Sequence, residues 1–317
     1  MVVRYSKKIH KLIISVLTFI FIIIFCGLAL AENIIVIKSQ NLPQYNMALE
    51  GFKKEMKSKG YSEGGNLKVT YADLSSVPGN LSAFDLIYCI GTEAVKTAAD
   101  KVKDKPIVFS MVLSPVKNKI LKNPSSPEGN VTGVALDIPV KQQLEMIKEV
   151  FPGAKNVGVI YDPNFSQSQI DDAKSLAGNL GLTIVSTPVA SSPDVAKAIK
   201  DMLGKINSYW LLLDPTVATK DTLPFILNQC QLNSVACFGF ASFMVKVGAI
   251  ASPVLDYEDI GRQSGILAAS ILSNGGGALP ALVYPRTLNL AINTKIANAL
   301  GIKLSGDVTK RAVETYN

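Results

Sequence analysis

From residue 33 onward the chain alternates short β-rich runs with longer helical patterns, and it does so in two successive series. The first series opens with the strand "NIIVIKS" (33–39) and the helix "QYNMALEGFKKEMKSKG" (44–60). It continues through "LKVTYADL" (67–74), "FDLIYCIG" (84–91) with its helix 92–103, "KPIVFSMV" (105–112), and "NVTGVALD" (130–137) with the helix 139–151. The second begins at "NVGVIYD" (156–162) and runs through 166–181, 182–189, 192–205, 208–214, 221–231 and 235–240 to "GAIASPVLD" (248–256) and the helix 257–275. Strands separated by helices of this length read as βαβ units with parallel sheets. The pattern therefore predicts two doubly wound parallel-sheet lobes of the α/β class.

An internal echo suggests how the lobes connect. "VTGVALDIPVKQQLEMIKEV" and "AIASPVLDYEDIGRQSGILAASIL" each run apolar strand, Leu-Asp, helix. Together with "LVYPRTLNLAIN" (282–293) they mark three places where strands carry the chain between lobes, making a three-strand hinge. The expected partition is 32–136 with 255–281 for the first lobe and 137–254 with 282–317 for the second.

The N-terminus is read separately. Arg4, Lys7, Lys8 and Lys11 precede the apolar run 12–31, which ends with small residues at Ala29 and Ala31. This is the order of a cleavable signal peptide over residues 1–31, with a mature start at Glu32. An uncleaved membrane anchor and lipidation at Cys26 are the alternatives, the latter opposed by the bulky Phe25. The leader also carries much of the formal +7 charge. The rest of the chain has 28 basic against 25 acidic residues, so the composition gives a nucleic-acid partner little support.

His10, inside the leader, is the only histidine. The mature chain therefore has no histidine to serve as a general base, a triad member or a metal ligand. No phosphate-binding glycine loop follows the first strand. No cofactor and no metal are expected. Cys89 reads as a small buried hydrophobe. Cys230 and Cys237 fit no strong disulfide framework, and their pairing stays open.

In parallel α/β sheets ligands collect at the carboxyl ends of strands. Those ends carry Gln40, Thr92 and Ser110 in the first lobe. In the second they carry Tyr161, Asp162, Phe165, Asp214, Thr216 and Phe240. Hydroxyls and helix N-termini suit a carboxylate, aspartates suit an ammonium, and Tyr161, Phe165 and Phe240 suit an apolar or aromatic body. Thr92, Asp214 and Thr216 also serve as helix N-caps on a purely structural reading. In "VLDYEDIGRQ" (254–263), Glu258 and Asp259 fall in the first turn of a helix, where negative charge is stabilising. Asp256 ends the preceding strand and reads as a contact for a positively charged ligand group, or else as the cap of that helix.

Several segments carry a family resemblance, in this order: "EGFKKEMKSKGY", "DLIYCIGTEAVKTA", "KPIVFSMVLSPV", "GNVTGVALDIPVKQQLEMIKEVFPGAKNVGVIYDP", "DPTVA", "DYEDIGRQSGILAASIL" and "NLAINTKIANALGI". Over nearly the whole mature chain they resemble ABC transporter solute-binding proteins related to the tryptophan- and tyrosine-binding group. The resemblance implies a type I periplasmic-binding fold and capture of a small solute, often an aromatic amino acid in that family. It further implies hand-over to a permease and its ATPase, no catalytic site, and a periplasmic or extracytoplasmic location. Membrane contact would come only through the permease or an uncleaved leader. By position it picks out Thr92, Ser110, Tyr161, Asp214, Thr216 and Asp256. A sensory or partner-docking module of the same fold and a carboxylate-dependent enzyme are the other readings. Three departures stand out. The chain between "ADLSSVPGN" and "FDLIYC" is short, so one first-lobe helix is expected to be missing or reduced. Glu93 adds a carboxylate beside Thr92. The loop "FGFASF" is unusually apolar.

Overall fold

The computed structural model describes residues 31–125 and 129–317; the leader, with its cleavage, anchor and lipidation readings, lies outside the described residues. The chain divides into two compact units. Unit 1 contains the chain up to Ser110, then Asn118–Gly133 and Gly261–Ala281. Unit 2 contains Met111–Lys117, Val134–Ile260 and Leu282–Asn317.

Strands β1 (Glu32–Lys38), β2 (Leu67–Asp73), β3 (Leu86–Ile90), β4 (Ile107–Val112) and β5 (Val131–Ala135) form one sheet in the order β2-β1-β3-β4-β5. The β2-β1, β1-β3 and β3-β4 pairs are parallel. Ile34 to Ile37 and Leu86 to Ile90 are buried throughout, as strands covered on both faces must be. Helix α1 (Pro43–Ser58) lays Ala48, Phe52 and Met56 onto this sheet. Phe52 stacks on Tyr88 with ring centroids 3.9 Å apart. Helix α2 (Thr92–Lys101) follows β3. No helix stands between β2 and β3. Residues 74–85 cross in turns and bury Leu81 and Phe84 instead, in keeping with the shortened sequence there.

Unit 2 holds the larger sheet. Its helices are α3 (Val140–Val150), α4 (Pro163–Ala177), α5 (Ser192–Leu203), α6 (Thr222–Leu232) and α7 (Ser242–Val247). Helix α8 (Tyr257–Ser273) begins here and continues into unit 1; α9 (Thr294–Ala299) and α10 (Gly306–Arg311) complete the set. The strands are β6 (Asn156–Tyr161), β7 (Thr183–Pro188), β8 (Ser208–Trp210), β9 (Ala236–Phe238), β10 (Ala251–Leu255), β11 (Leu288–Asn293) and β12 (Ala312–Tyr316). They order as β12-β11-β10-β9-β8-β6-β7. All pairs are parallel except β10-β11. Neighbouring residues of β8 serve different cores: Trp210 packs with Leu144, Ile147 and Phe238, whereas Tyr209 packs with Ile199, Ile226 and Cys237. Cys89, Cys230 and Cys237 are buried free thiols.

Some local expectations differ from what is observed. The run 208–214 is a strand only over Ser208–Trp210, and 282–293 only from Leu288. "FGFASF" runs into the short helix α7, and "AVETY" forms the edge strand β12.

The close approach of α8 to α1 in unit 1 depends on two glycines of α8. A Cβ at Gly261 would lie 1.9 Å from the carbonyl oxygen of Ala48 on α1, and one at Gly265 would lie 3.0 Å from that of Phe52. Alanine improves helix propensity by up to about 1 kcal/mol, but a backbone atom cannot move aside as a flexible side chain can. Gly261→Ala is therefore expected to destabilise by about 1–3 kcal/mol, the usual cost of overpacking. Urea denaturation measures it, and an unchanged midpoint would refute this account of the packing.

Candidate ligand-binding site

The second-lobe candidates divide into a buried polar network and an apolar cavity. Asp162, after β6, is the N-cap of α4. Its Oδ1 accepts the Asn164 N–H at 2.9 Å, and Pro163 fills the next position, where no N–H is needed. Its Oδ2 accepts the Thr216 hydroxyl at 2.7 Å. Asp214, beyond β8, is fully buried. Its Oδ2 accepts the Asp162 N–H at 2.9 Å and the Ser166 hydroxyl at 2.7 Å. Its Oδ1 accepts the N–H groups of Thr216 and Val217 at 2.9 and 3.2 Å. The two aspartates thus tie the start of α4 to the turn after β8. Tyr161 is buried beside them and donates its hydroxyl to Gln167.

Phe165 and Phe240 lie on the wall of the cavity, which occupies about 540 Å³ within unit 2. Phe165 is 47% exposed and Leu213 beside the cavity is 55% exposed, an unusual state for large apolar side chains that line one concave surface. Phe240 meets Phe243 edge to face with centroids 6.1 Å apart. Polar groups on the wall include Gln143, Gln169, Ser242 and Tyr257. Gln143 is held at both ends of its amide: Nε2 donates to the Ile138 carbonyl at 2.7 Å, and Oε1 accepts the Trp210 indole N–H at 3.0 Å. Burial and the nearby Glu314 carboxylate raise the Tyr257 phenol above its ordinary pKa.

The unit 1 candidates are arranged differently. Ser110 is fully buried, with its hydroxyl 2.8 Å from that of Tyr88. Thr92 begins α2, where Ser39 Oγ accepts the Ala94 N–H at 2.8 Å. Gln40 is exposed and borders a shallow depression with Lys38 and Asp73. Glu93 turns to Lys96 at 3.2 Å and remains largely exposed.

In the acidic cluster Asp256 and Asp259 each have protein partners. Asp256 Oδ1 accepts the Asp259 N–H at 2.9 Å, the geometry of an N-cap on α8. Asp259 receives Arg286 in bidentate fashion, with Nε at 2.9 Å and Nη2 at 2.6 Å, and also the Thr287 hydroxyl. Sequence reasoning missed Arg286 as the partner of Asp259, and it missed Gln143, Lys117 and Asp137 on the cavity wall. The repeated Leu-Asp was the available signal for Asp137.

The model of a family described as ABC transporter substrate binding protein matches residues 33–316. The chain belongs to this family. A tyrosine-binding protein of Clostridioides difficile (strain R20291) is 30% identical over 281 residues, covering 84% of this substrate-binding protein and 81% of that relative. Among solved structures, a ligand-free, open substrate-binding protein with adhesive properties from Clostridium difficile shares 25% identity with a TM-score of 0.72. An ABC domain in complex with L-Trp from Streptococcus pneumoniae shares 27% with a TM-score of 0.56. Each alignment covers 90% of this chain and 99% of the other. The two units are accordingly the lobes of a type I periplasmic-binding fold.

Two tests bear on the polar groups. The Thr216 hydroxyl, followed by the Asn164 N–H, holds the Asp162 carboxyl below its ordinary pKa of 3.8. A depressed carboxyl pKa contributes stability that is present above the unfolded-state value and lost as pH falls through the folded-state value. Thr216→Val is therefore expected to lose stability at pH 7, with the gap to the parent closing below about pH 4, near the unperturbed aspartate value. Denaturation midpoints from pH 2.5 to 7 check this, and a gap constant with pH would assign the loss to packing alone. Asp256→Ala is expected to cost about 1 kcal/mol of stability, as removal of an N-cap does, whereas Asp256→Asn keeps the cap and stays close to the parent. Equal melting temperatures for the parent and the alanine variant would remove the capping role.

Proposed function

We propose that this protein is the extracytoplasmic solute-binding component of an ABC import system and captures an aromatic amino acid for delivery to a permease and its ATPase. The observation that carries the reading is the unit 2 cavity, where Phe165, Leu213 and Phe240 present apolar surface beside the fixed amide of Gln143. Ligand pockets combine this kind of apolar lining with a few oriented polar groups, and this cavity lies in their usual size range of about 300–1,000 Å³. The tyrosine-binding relative and the L-Trp complex support the choice of solute. On this reading Phe165 and Phe240 flank the solute's ring. Tyr161, Asp162, Asp214 and Thr216 hold the α4 end of the site in place, because their polar atoms are bonded within the protein. The role is binding without turnover, and the mature chain has no histidine for general-base work.

A ligand that binds only the folded state stabilises it by mass action, by about 2.7 kcal/mol at a hundredfold excess over Kd. L-tyrosine or L-tryptophan is therefore expected to raise the melting temperature of the ligand-free protein by several degrees. Phe165→Ala is expected to shrink that shift without lowering the unliganded melting temperature. No shift with either amino acid, on folded protein shown by native mass spectrometry to be empty, would overturn the aromatic assignment.

A further inference from the structure

Among the described residues lining the unit 2 cavity, Lys117 is the sole cation. It ends the segment Met111–Lys117, the first stretch of chain assigned to unit 2. Two non-glycine residues of that segment adopt left-handed backbone, Met111 at φ +58° and Ser114 at φ +49°. Such conformations cost on the order of 1–3 kcal/mol each and persist only where the surroundings impose them. Here Asp137 supplies the hold: its carboxylate accepts both the Ser114 N–H at 2.7 Å and the Ser114 hydroxyl at 3.0 Å. The Leu136 N–H adds a bond to the Val112 carbonyl at 2.8 Å. From this fixed base Lys117 reaches the start of α4 and donates to the Phe165 carbonyl at 2.5 Å. The lysine is therefore a positioned group at the cavity wall.

Its charge is unspent. An ammonium carries three donors, and this hydrogen bond uses one. Lys117 makes no ion pair among the described residues. The aspartates expected to meet a ligand ammonium are committed: Asp162 and Asp214 to the α4 network, Asp256 to the α8 cap. Asp137, the one carboxylate on the wall, is turned to Ser114. The donors that unit 2 leaves available to a carboxylate are thus those of Lys117, which lies beside the exposed ring of Phe165 and the exposed side chains of Leu113 and Leu213.

We propose that Lys117 is the carboxylate receptor of unit 2: the solute's carboxylate takes the remaining donors of the Lys117 ammonium while its apolar body lies against Phe165, Leu113 and Leu213. The inference rests on the solute-binding role proposed above and sharpens it, since unit 2 then reads the acid end of the solute and leaves the amine unread. A hydrogen bond to a charged group is stronger than one between neutral groups, so removing either charge weakens binding measurably.

Isothermal titration of the ligand-free protein decides it. The probes are L-tyrosine, L-tryptophan, their amides, and 3-(4-hydroxyphenyl)propionate, which has the carboxylate but no amine. The parent is expected to bind the three carboxylates at least tenfold more tightly than the amides. Lys117→Gln is expected to lose tenfold or more for each carboxylate with no change toward the amides, and Lys117→Arg to keep the preference. The side chain is exposed, so both variants are expected to fold with the parent's melting temperature. Tyrosine bound equally well by the parent and by Lys117→Gln would overturn the inference while leaving the amino-acid reading intact. Binding of the propionate alone, lost in Lys117→Gln, would overturn the amino-acid reading and keep the inference. Binding of none of the probes would overturn both.

Discussion

The carboxylate of Asp214 organises unit 2 around the candidate site. It is buried and accepts four hydrogen bonds, from Asp162 N–H, Ser166 Oγ, Thr216 N–H and Val217 N–H. A carboxyl group so deep in the protein is tolerable only when its oxygens are matched by donors. Those donors come from the β6–α4 junction and from the turn after β8, so satisfying its oxygens fixes both at once. The placement of Phe165 three residues into α4, of Leu213 just before Asp214, and of the carbonyl that Lys117 grips all follow from that match. The wall of the cavity is therefore set by a group that does not line it.

The order of elements was legible because most strands of this fold are buried on both faces and so appear as continuous apolar runs, as in "IIVI" and "LIYCI". Where burial is partial the signal failed. Strand β12 lies at a sheet edge with alternating exposure, and α7 is only six residues long, too short for helical periodicity to emerge. The antiparallel placement of β11 against β10 follows from long-range pairing that no local pattern encodes.

The candidate residues were legible as a set of strand ends and much less as a set of structural roles. Strand ends pointed to Asp162 and Asp214, which share one polar network, and to Phe165 and Phe240, which line one cavity. Composition could not tell an aspartate that meets a ligand from one that saturates a helix N-terminus. That difference depends on which donors come within about 3 Å, the normal hydrogen-bond distance. Lys117 was invisible for the complementary reason: "LSPVKN" has no periodicity, and its placement comes from a segment with two left-handed residues, one of them, Ser114, pinned by an aspartate more than twenty positions away. Asp137 and Asp256 share the same Leu-Asp context and do different work, one clasping a loop and the other capping a helix.

Trp210 is the only tryptophan in the chain, and its indole N–H is bonded to the amide that faces the cavity through Gln143. Indole emission depends on the polarity and hydrogen bonding of its surroundings. The protein thus carries one built-in optical reporter, one residue removed from the place where a solute would displace water, and its whole near-ultraviolet tryptophan signal comes from that single position.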